Sequence, residues 1–324
     1  MRDRTQFVKE ETFKVLMWTF CGISSAFLAS RLGIRLFRRE KFKRSDGLLL
    51  LALPSLLAGS ALLHSSLSAL YNHSHAGSRA DHEYVQQHED AAPRLTAATE
   101  LLWITIYSVK ASFLLQFKFH KPPYSLVSVN LTRYYWTTVG MCTAAFICTL
   151  AVPPILCPSS SECQYLEGAS SNTRAWEISL VSIDIVTDIA VMLIPILLIR
   201  MGNFTLSHAV VNTVFKSLSV CVVAIAAIRL AFLCNGAAQN VDYGTVILWL
   251  MVEAAVAVTA ASISSYRVIV LDYLCKSQVQ RARATQRDGC QPLNWWRTRG
   301  PCTRGQDHGS TAADSMSVIL RPID

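Results

Sequence analysis

The sequence predicts an all-α fold: a bundle of seven transmembrane helices, with the N-terminus outside and the C-terminus in the cytoplasm. Three observations predict it. Only 16% of the 324 residues are charged and 52% are hydrophobic, whereas a soluble domain carries about a quarter charged residues. Seven apolar runs each come near the roughly 20 residues that a membrane-crossing helix needs. The lysines and arginines, finally, gather in alternate loops, as membrane insertion sorts them.

The runs follow in order. Residues 1–11 are short and polar and are read as an extracellular N-terminus. The first span, Thr12 to Ile34, is too long for a signal-peptide core and shows no small-residue cleavage site, so it is expected to be retained. A basic stretch, RLFRREKFKRSD, comes next. The second span is Gly47 to Tyr71, with Pro54 inside it. A polar loop from Asn72 to Arg94 holds His73, His75, His82 and His88. The third span, Leu95 to Phe117, contains Glu100 and Lys110. The fourth is Tyr134 to Leu156, the fifth Ile178 to Ile199, the sixth Asn212 to Cys234 and the seventh Gly244 to Leu271. Residues 12–272 thus form the membrane domain. Residues 273–324 are polar, Arg-rich and mostly aperiodic, and are expected to be a largely disordered cytoplasmic tail.

Orientation rests on the basic residues of the short loops. Six lie between Arg35 and Arg44, and Lys118, Lys121, Arg133 and Arg200 lie on the same side, as do eight in the tail. The opposite side has three before the first span, then Arg79, Arg94 and Arg174. The formal charge of +8 therefore follows the membrane and does not point to nucleic acid. Ten cysteines form no CxxC or zinc-ligand spacing, and no P-loop, GxGxxG or HExxH occurs. No cofactor and no metal is expected.

The fifth span carries the oddest chemistry. Asp184 and Asp188 stand four residues apart, hence on one helical face. A carboxylate in hydrocarbon costs roughly 2.5–3.5 kcal/mol on insertion scales, so both should face the protein interior. Neighbouring like charges need a cation or a proton. Counted at about 1.5 Å per residue, Asp184, Arg229 of the sixth span, Glu253 of the seventh and His64 of the second fall in one layer of the outer half. Arg229 is expected to sit between Asp184 and Glu253, with Asp188 one turn deeper, protonated or linked to water. The layer reads either as a structural ion-pair network or as a ligand or proton site. Trp103, Tyr107 and Trp249 could line the same cavity. Lys110 is read as snorkelling to the inner interface. The seventh span has no lysine, which disfavours retinal bound as a Schiff base there. Ala257, Ala261 and Ser265 form a small-residue ridge suited to close helix approach.

Outside the membrane, Cys157 and Cys163 face the oxidising side, where a disulfide between them would close a small loop; the alternative is two free thiols. Cys275, followed by Lys276, Arg281 and Arg283, is a candidate palmitoylation site on a short interfacial helix.

Several stretches, in this order and spacing, carry a family resemblance. They are DIVTDIAVMLIPI in the fifth span, Lys216 opening the sixth, IRL at Ile228–Leu230, and WLMVE at Trp249–Glu253. The basic loop ending in Ser45 and Asp46 belongs with them, as does Lys110 with the Ala-Ser that follows it. Together they resemble the fungal rhodopsin-fold integral membrane family, the Pth-type GPCR-like proteins of filamentous fungi. The resemblance covers residues 12–272. It implies that Asp184, Asp188, Arg229 and Glu253 occupy the family's recurring polar positions, and that Cys157 and Cys163 are its outer-loop cysteines.

Two functions follow as expectations. One is a receptor-like sensor of a small or lipophilic ligand, in the plasma membrane and associated with a fungal secondary-metabolite pathway. Its partners would be membrane lipids, the ligand and a cytoplasmic signalling protein. The third span closes with LQFKFH, not a DRY-like triplet, and the seventh lacks NPxxY, so ordinary G-protein coupling is unsupported. The other is a membrane-embedded enzyme of the cyclase or isomerase type, in which a buried carboxyl protonates a lipophilic metabolite.

Overall fold

The computed structural model describes the backbone of residues 10–37, 44–75, 82–119, 129–156, 171–201, 206–235 and 243–264. These are seven helices: α1 (Glu10–Phe37), α2 (Arg44–His75), α3 (His82–Phe119), α4 (Val129–Leu156), α5 (Ser171–Met201), α6 (Leu206–Asn235) and α7 (Tyr243–Ser264). No strand occurs among the described residues. Six of the helices are long and apolar enough to cross a membrane. The sixth-span helix, α6, is apolar from Val220 to Cys234 among its described side chains.

The helices form because the chain offers long apolar runs whose backbone groups can be satisfied within the segment. Hydroxyls in these runs bond back to their own helix. Thr19 donates to the Val15 carbonyl, Thr99 to Leu95, Thr143 to Val139, and Ser262 to Val258. Prolines stand inside α2, α3, α4 and α5 at Pro54, Pro93, Pro153, Pro154 and Pro195.

Each helix packs against the next in the chain, and α7 packs against α1, which closes the ring. α3 also touches α5 and α7, and α7 also touches α2, so these two helices are the most buried of the bundle. The outer surface is apolar: Val15, Ile23, Leu51, Ile147, Ile155, Val186 and Val220 are exposed. In water such a surface would be an aggregation liability, while in lipid it is the solvated face. α5 shows the division clearly. Leu180, Val181, Asp184, Thr187, Ala190 and Ile194 are buried, and Ile183, Val186, Ile189 and Leu193 are exposed. The aspartates lie on the inward stripe.

One feature differs from the sequence reading. The stretch from Asn72 to Arg94 is not one loop: α2 continues to His75 and α3 begins at His82. Hydropathy marks only the lipid-crossing part of a helix, and the Glu-, Gln- and Ala-rich HEYVQQHEDAA is itself a good helix former. α7 is described to Ser264, and residues 265–271 of the expected span lie outside the described residues. Cys157, Cys163, Cys275 and the tail also lie outside them.

The α2–α3 contact fixes where α3 stands. At Gly59 a Cβ would meet the Leu101 Cβ at 3.2 Å and the Ala98 carbonyl at 3.3 Å. The two backbones approach closely there because the residue has no side chain. Thr105 of α3 reaches the Ala52 carbonyl of α2 at 3.3 Å, and Ser112 reaches the Ser45 carbonyl at 2.9 Å. Gly59→Val should therefore force the helices apart and cost about 1–3 kcal/mol. Gly140→Val, where a Cβ meets nothing within 4 Å, should leave the thermal midpoint of the detergent-solubilised protein unchanged. Equal midpoints for the two variants would show that the contact contributes nothing.

Candidate site: a buried ion network across four helices

Four helices each bring ionisable side chains to one buried place. α5 supplies Asp184 and Asp188 from its inward stripe. α6 supplies Arg229, α7 supplies Glu253, and α3 supplies Lys110. All five are at or near full burial.

Lys110 holds the two aspartates. Its ammonium donates to Asp184 Oδ1 at 2.8 Å, to the Asp184 carbonyl at 3.1 Å and to Thr187 Oγ1 at 2.8 Å. Asp188 Oδ1 lies 2.8 Å away as an ion-pair partner. Thr187 in turn donates to the Asp184 carbonyl. The Tyr107 ring lies one turn before Lys110, with its centre 5.1 Å from the ammonium. Arg229 spans the other side. Its Nη1 is 3.0 Å from Glu253 Oε2, and its Nη2 is 3.7 Å from Asp184 Oδ2. The guanidinium lies over Trp103 at 4.9 Å, a cation–π contact.

The network is close-knit but under-satisfied. Asp184 Oδ2, Asp188 Oδ2, both Glu253 oxygens, Arg229 Nε and Nη2, and the Tyr107 hydroxyl are buried without a hydrogen bond. The Arg229–Glu253 pair is within ion-pair distance, yet its angles do not make a hydrogen bond. The three carboxyls offer oxygens all within 4.8 Å of one another. Three carboxylates against two cations leave one negative charge uncompensated, in a place where an unpaired ion is costly. Beside Arg229 is a cleft of about 20 Å³, lined by Thr99, Trp103, Glu177, Val246 and Leu250 among others. That is room for about one water.

A second ion cluster ties α1, α2 and α7 together. Asp46, fully buried, receives Arg31 Nη2 at 2.7 Å and also pairs with Arg35. Arg31 Nη1 donates to the Ala261 carbonyl of α7 at 2.6 Å. Two turns away, Ser24 reaches the Ala255 carbonyl and Thr259. The small-residue ridge at Ala257 and Ala261 is buried, next to these α1–α7 contacts.

The structure brings Asp184, Arg229 and Glu253 together, with Arg229 between the two acids as their depths implied. Three expectations change. His64 is not in the layer: it is exposed and meets Trp18 edge-on at 6.2 Å. Its depth along α2 matches, but its side chain leaves from the wrong face. Asp188 is held by Lys110 and not left with a proton or water alone. Lys110 does not snorkel but is buried at the centre of the network. The sequence signal that could have found it is the match between one inward cation on α3 and two inward acids on α5. Trp103 and Tyr107 flank the network, while Trp249 stacks on Phe232 at 6.1 Å.

A family model, the fungal rhodopsin domain, matches residues 30–271. No curated protein and no solved structure matches the chain. The word rhodopsin suggests retinal, which needs a lysine amine in a long pocket. α7 has no lysine from Tyr243 to Ser264, and the Lys110 amine is ringed by Asp184, Asp188 and Thr187. The described residues do not fit that group.

Removing Lys110 should be the most damaging single change here. Lys110→Met leaves two adjacent carboxylates without their cation, and breaking a buried pair from one side typically costs about 3–5 kcal/mol. Adding Asp188→Asn should recover part of the loss, because the orphaned charge is gone. Monodisperse yield in mild detergent and the thermal midpoint report both. If single and double variants match wild type, the network carries no stability.

Proposed function

The chain belongs to the fungal rhodopsin domain family, and from that premise we propose that it works as a receptor-like sensor of a small or lipophilic ligand. It is a multi-pass membrane protein with six helices long and apolar enough to span. The observation that carries the sensor reading is the ion network itself. It joins α3, α5, α6 and α7 through two cations shared among three acids, and leaves buried polar atoms unpaired. Such a set has more than one way to pair. A ligand that prefers one pairing shifts the bundle by its differential affinity.

The distribution of basic residues supports an outward N-terminus. The α6–α7 end, where the Arg229 cleft lies, would then face outside. The basic inner loops would meet anionic lipid or an acidic signalling partner, and the plasma membrane suits that arrangement. Secondary-metabolite control is the process we assign to it.

The enzyme reading has the carboxyls, but the cleft described beside Arg229 is small and none of the three acids lines it. Pockets for drug-sized ligands run about 300–1,000 Å³, and the cleft at Arg229 is about 20 Å³.

Deleting the gene in its native host, then profiling transcripts and metabolites together, separates the two. A sensor predicts a coordinated change in the expression of a set of genes, with no single precursor building up. Accumulation of one uncyclised precursor at unchanged expression would overturn the sensor in favour of the enzyme.

A further inference from the structure

The Asp184 and Glu253 carboxyls, on different helices, offer oxygens within 4.8 Å of one another, close enough to adjust into a hydrogen bond once one of them carries a proton. If both are ionised neither can donate, and the contact is repulsive; a single proton on either makes it a bond. This agrees with the charge count of three acids against two cations.

The surroundings decide which positive species balances the charge. Lys110 and Tyr107 face the acids from α3, Arg229 faces them from α6, and Cys142 of α4 lies within electrostatic range of both aspartates. α1 and α2 keep their own buried ions, Arg31 and Asp46, paired with each other. Glu177 lines the cleft beside Arg229, which adds negative potential at the entrance and disfavours an anionic ligand there. The cleft admits one water. A hydrated metal ion or an organic amine is larger and would press against two fixed cations. A proton needs no space beyond a water to deliver it.

Geometry also selects the carboxyl that holds it. Asp184 and Asp188 each have the Lys110 ammonium at 2.8 Å. Glu253 has only Arg229, at 3.0 Å and misaligned, and both its oxygens lack a hydrogen bond. The Tyr107 hydroxyl, buried beside Lys110 and near Thr187, is a second polar group available to a water or proton at the network.

We propose that Glu253 holds one exchangeable proton, donated as a hydrogen bond to Asp184, and that water passing from the cleft beyond Arg229, which lines it and lies 3.0 Å from Glu253, delivers and removes it. A hydronium reaching Glu253 gives its proton to the carboxylate and leaves as water; the return step gives the proton to a water. The network is thus a proton-binding site, whether or not the protein signals.

Infrared spectroscopy of the full-length protein in lipid nanodiscs tests this directly. Wild type should show the carbonyl stretch of a buried protonated carboxyl near neutral pH. The band should shift in D2O without unfolding, and should vanish in Glu253→Gln, an isostere that keeps the hydrogen bond to Asp184. Its amplitude should fall as pH is raised. Absence of the band in wild type overturns the proposal, as does a band unchanged in Glu253→Gln. A band that never shifts in D2O overturns the exchange route. If Glu253→Gln does not fold, Asp184→Asn serves in its place. It removes the acceptor, so the wild-type band should move in frequency, and an unmoved band overturns the Asp184 contact. If the band is absent and sodium chloride stabilises the protein where choline chloride does not, the balancing charge is an alkali cation and the proton is overturned.

Discussion

Burying the Lys110 ammonium is the constraint on which the arrangement of this bundle turns. An amine in hydrocarbon is tolerated only among acceptors, and α5 supplies them from a single face: the Asp184 carboxylate and carbonyl, Thr187 and Asp188. Meeting all of them fixes both the depth and the rotation of α3 against α5. A slip of one residue in α5 would turn an acid towards the face of Val186 and Ile189, which is exposed, and a slip in α3 would turn Lys110 away from the acids. Arg229 extends the same constraint to α6 and α7 by standing between Asp184 and Glu253. Apolar packing brings the helices side by side, and the ions set their register.

The Arg31–Asp46 cluster does comparable work for α1, α2 and α7. Asp46 is inaccessible, and two arginines from α1 close on it. Arg31 also takes the Ala261 carbonyl, so one guanidinium joins three helices. α7 is thus held by charge twice, at Glu253 and at Ala261. The small side chains along it leave its backbone open to α1, and Ser24 uses that access. The Gly59 approach holds α2 to α3 without any charge. Each helix is tied to its neighbours by a polar contact or a close one, on top of dispersion that lipid would provide equally well.

The fold was legible because its signal is coarse. Seven apolar runs and alternating basic loops survive errors of a few residues at each end. What failed were the ends: HEYVQQHEDAA is helical beyond the membrane, where hydropathy no longer distinguishes helix from loop. The site was legible where two residues share one helix. Asp184 and Asp188 on one face, and inward by cost, follow from spacing alone. Arg229 with Glu253 followed from depth. Depth fixes only one coordinate, however, and His64 shows the limit: it has a suitable height but points to the outer face of α2, beside Trp18. Lys110 was misread for the converse reason. A lysine near the inner end of a span has a cheap route to the interface, and only the three-dimensional proximity of Asp184 makes the buried alternative better. Asp46 was seen as the end of a basic loop because its partner Arg31 belongs to the preceding apolar run.

Why such a bundle should keep charges at all is the remaining question. Buried ion networks are poor stabilisers: replacing them with packed apolar side chains of similar volume is often neutral or favourable. Seven apolar helices in lipid have enough packing without them. What ions offer, and leucines do not, is a small set of discrete pairings. Arg229 lies at 3.0 Å from Glu253 and 3.7 Å from Asp184, over the flat face of Trp103, which permits sliding without loss of contact. Moving it fully to Asp184 would loosen α6 from α7 and share that acid between Arg229 and Lys110. Moving it to Glu253 would leave Asp184 to Lys110 alone. The two arrangements differ by small shifts but by which helices are joined, the kind of bistability that turns a local event into a change between helices. A network that left no polar atom unpaired would have one arrangement far below the rest. This one leaves several unpaired, which narrows the advantage of any one arrangement over its neighbours.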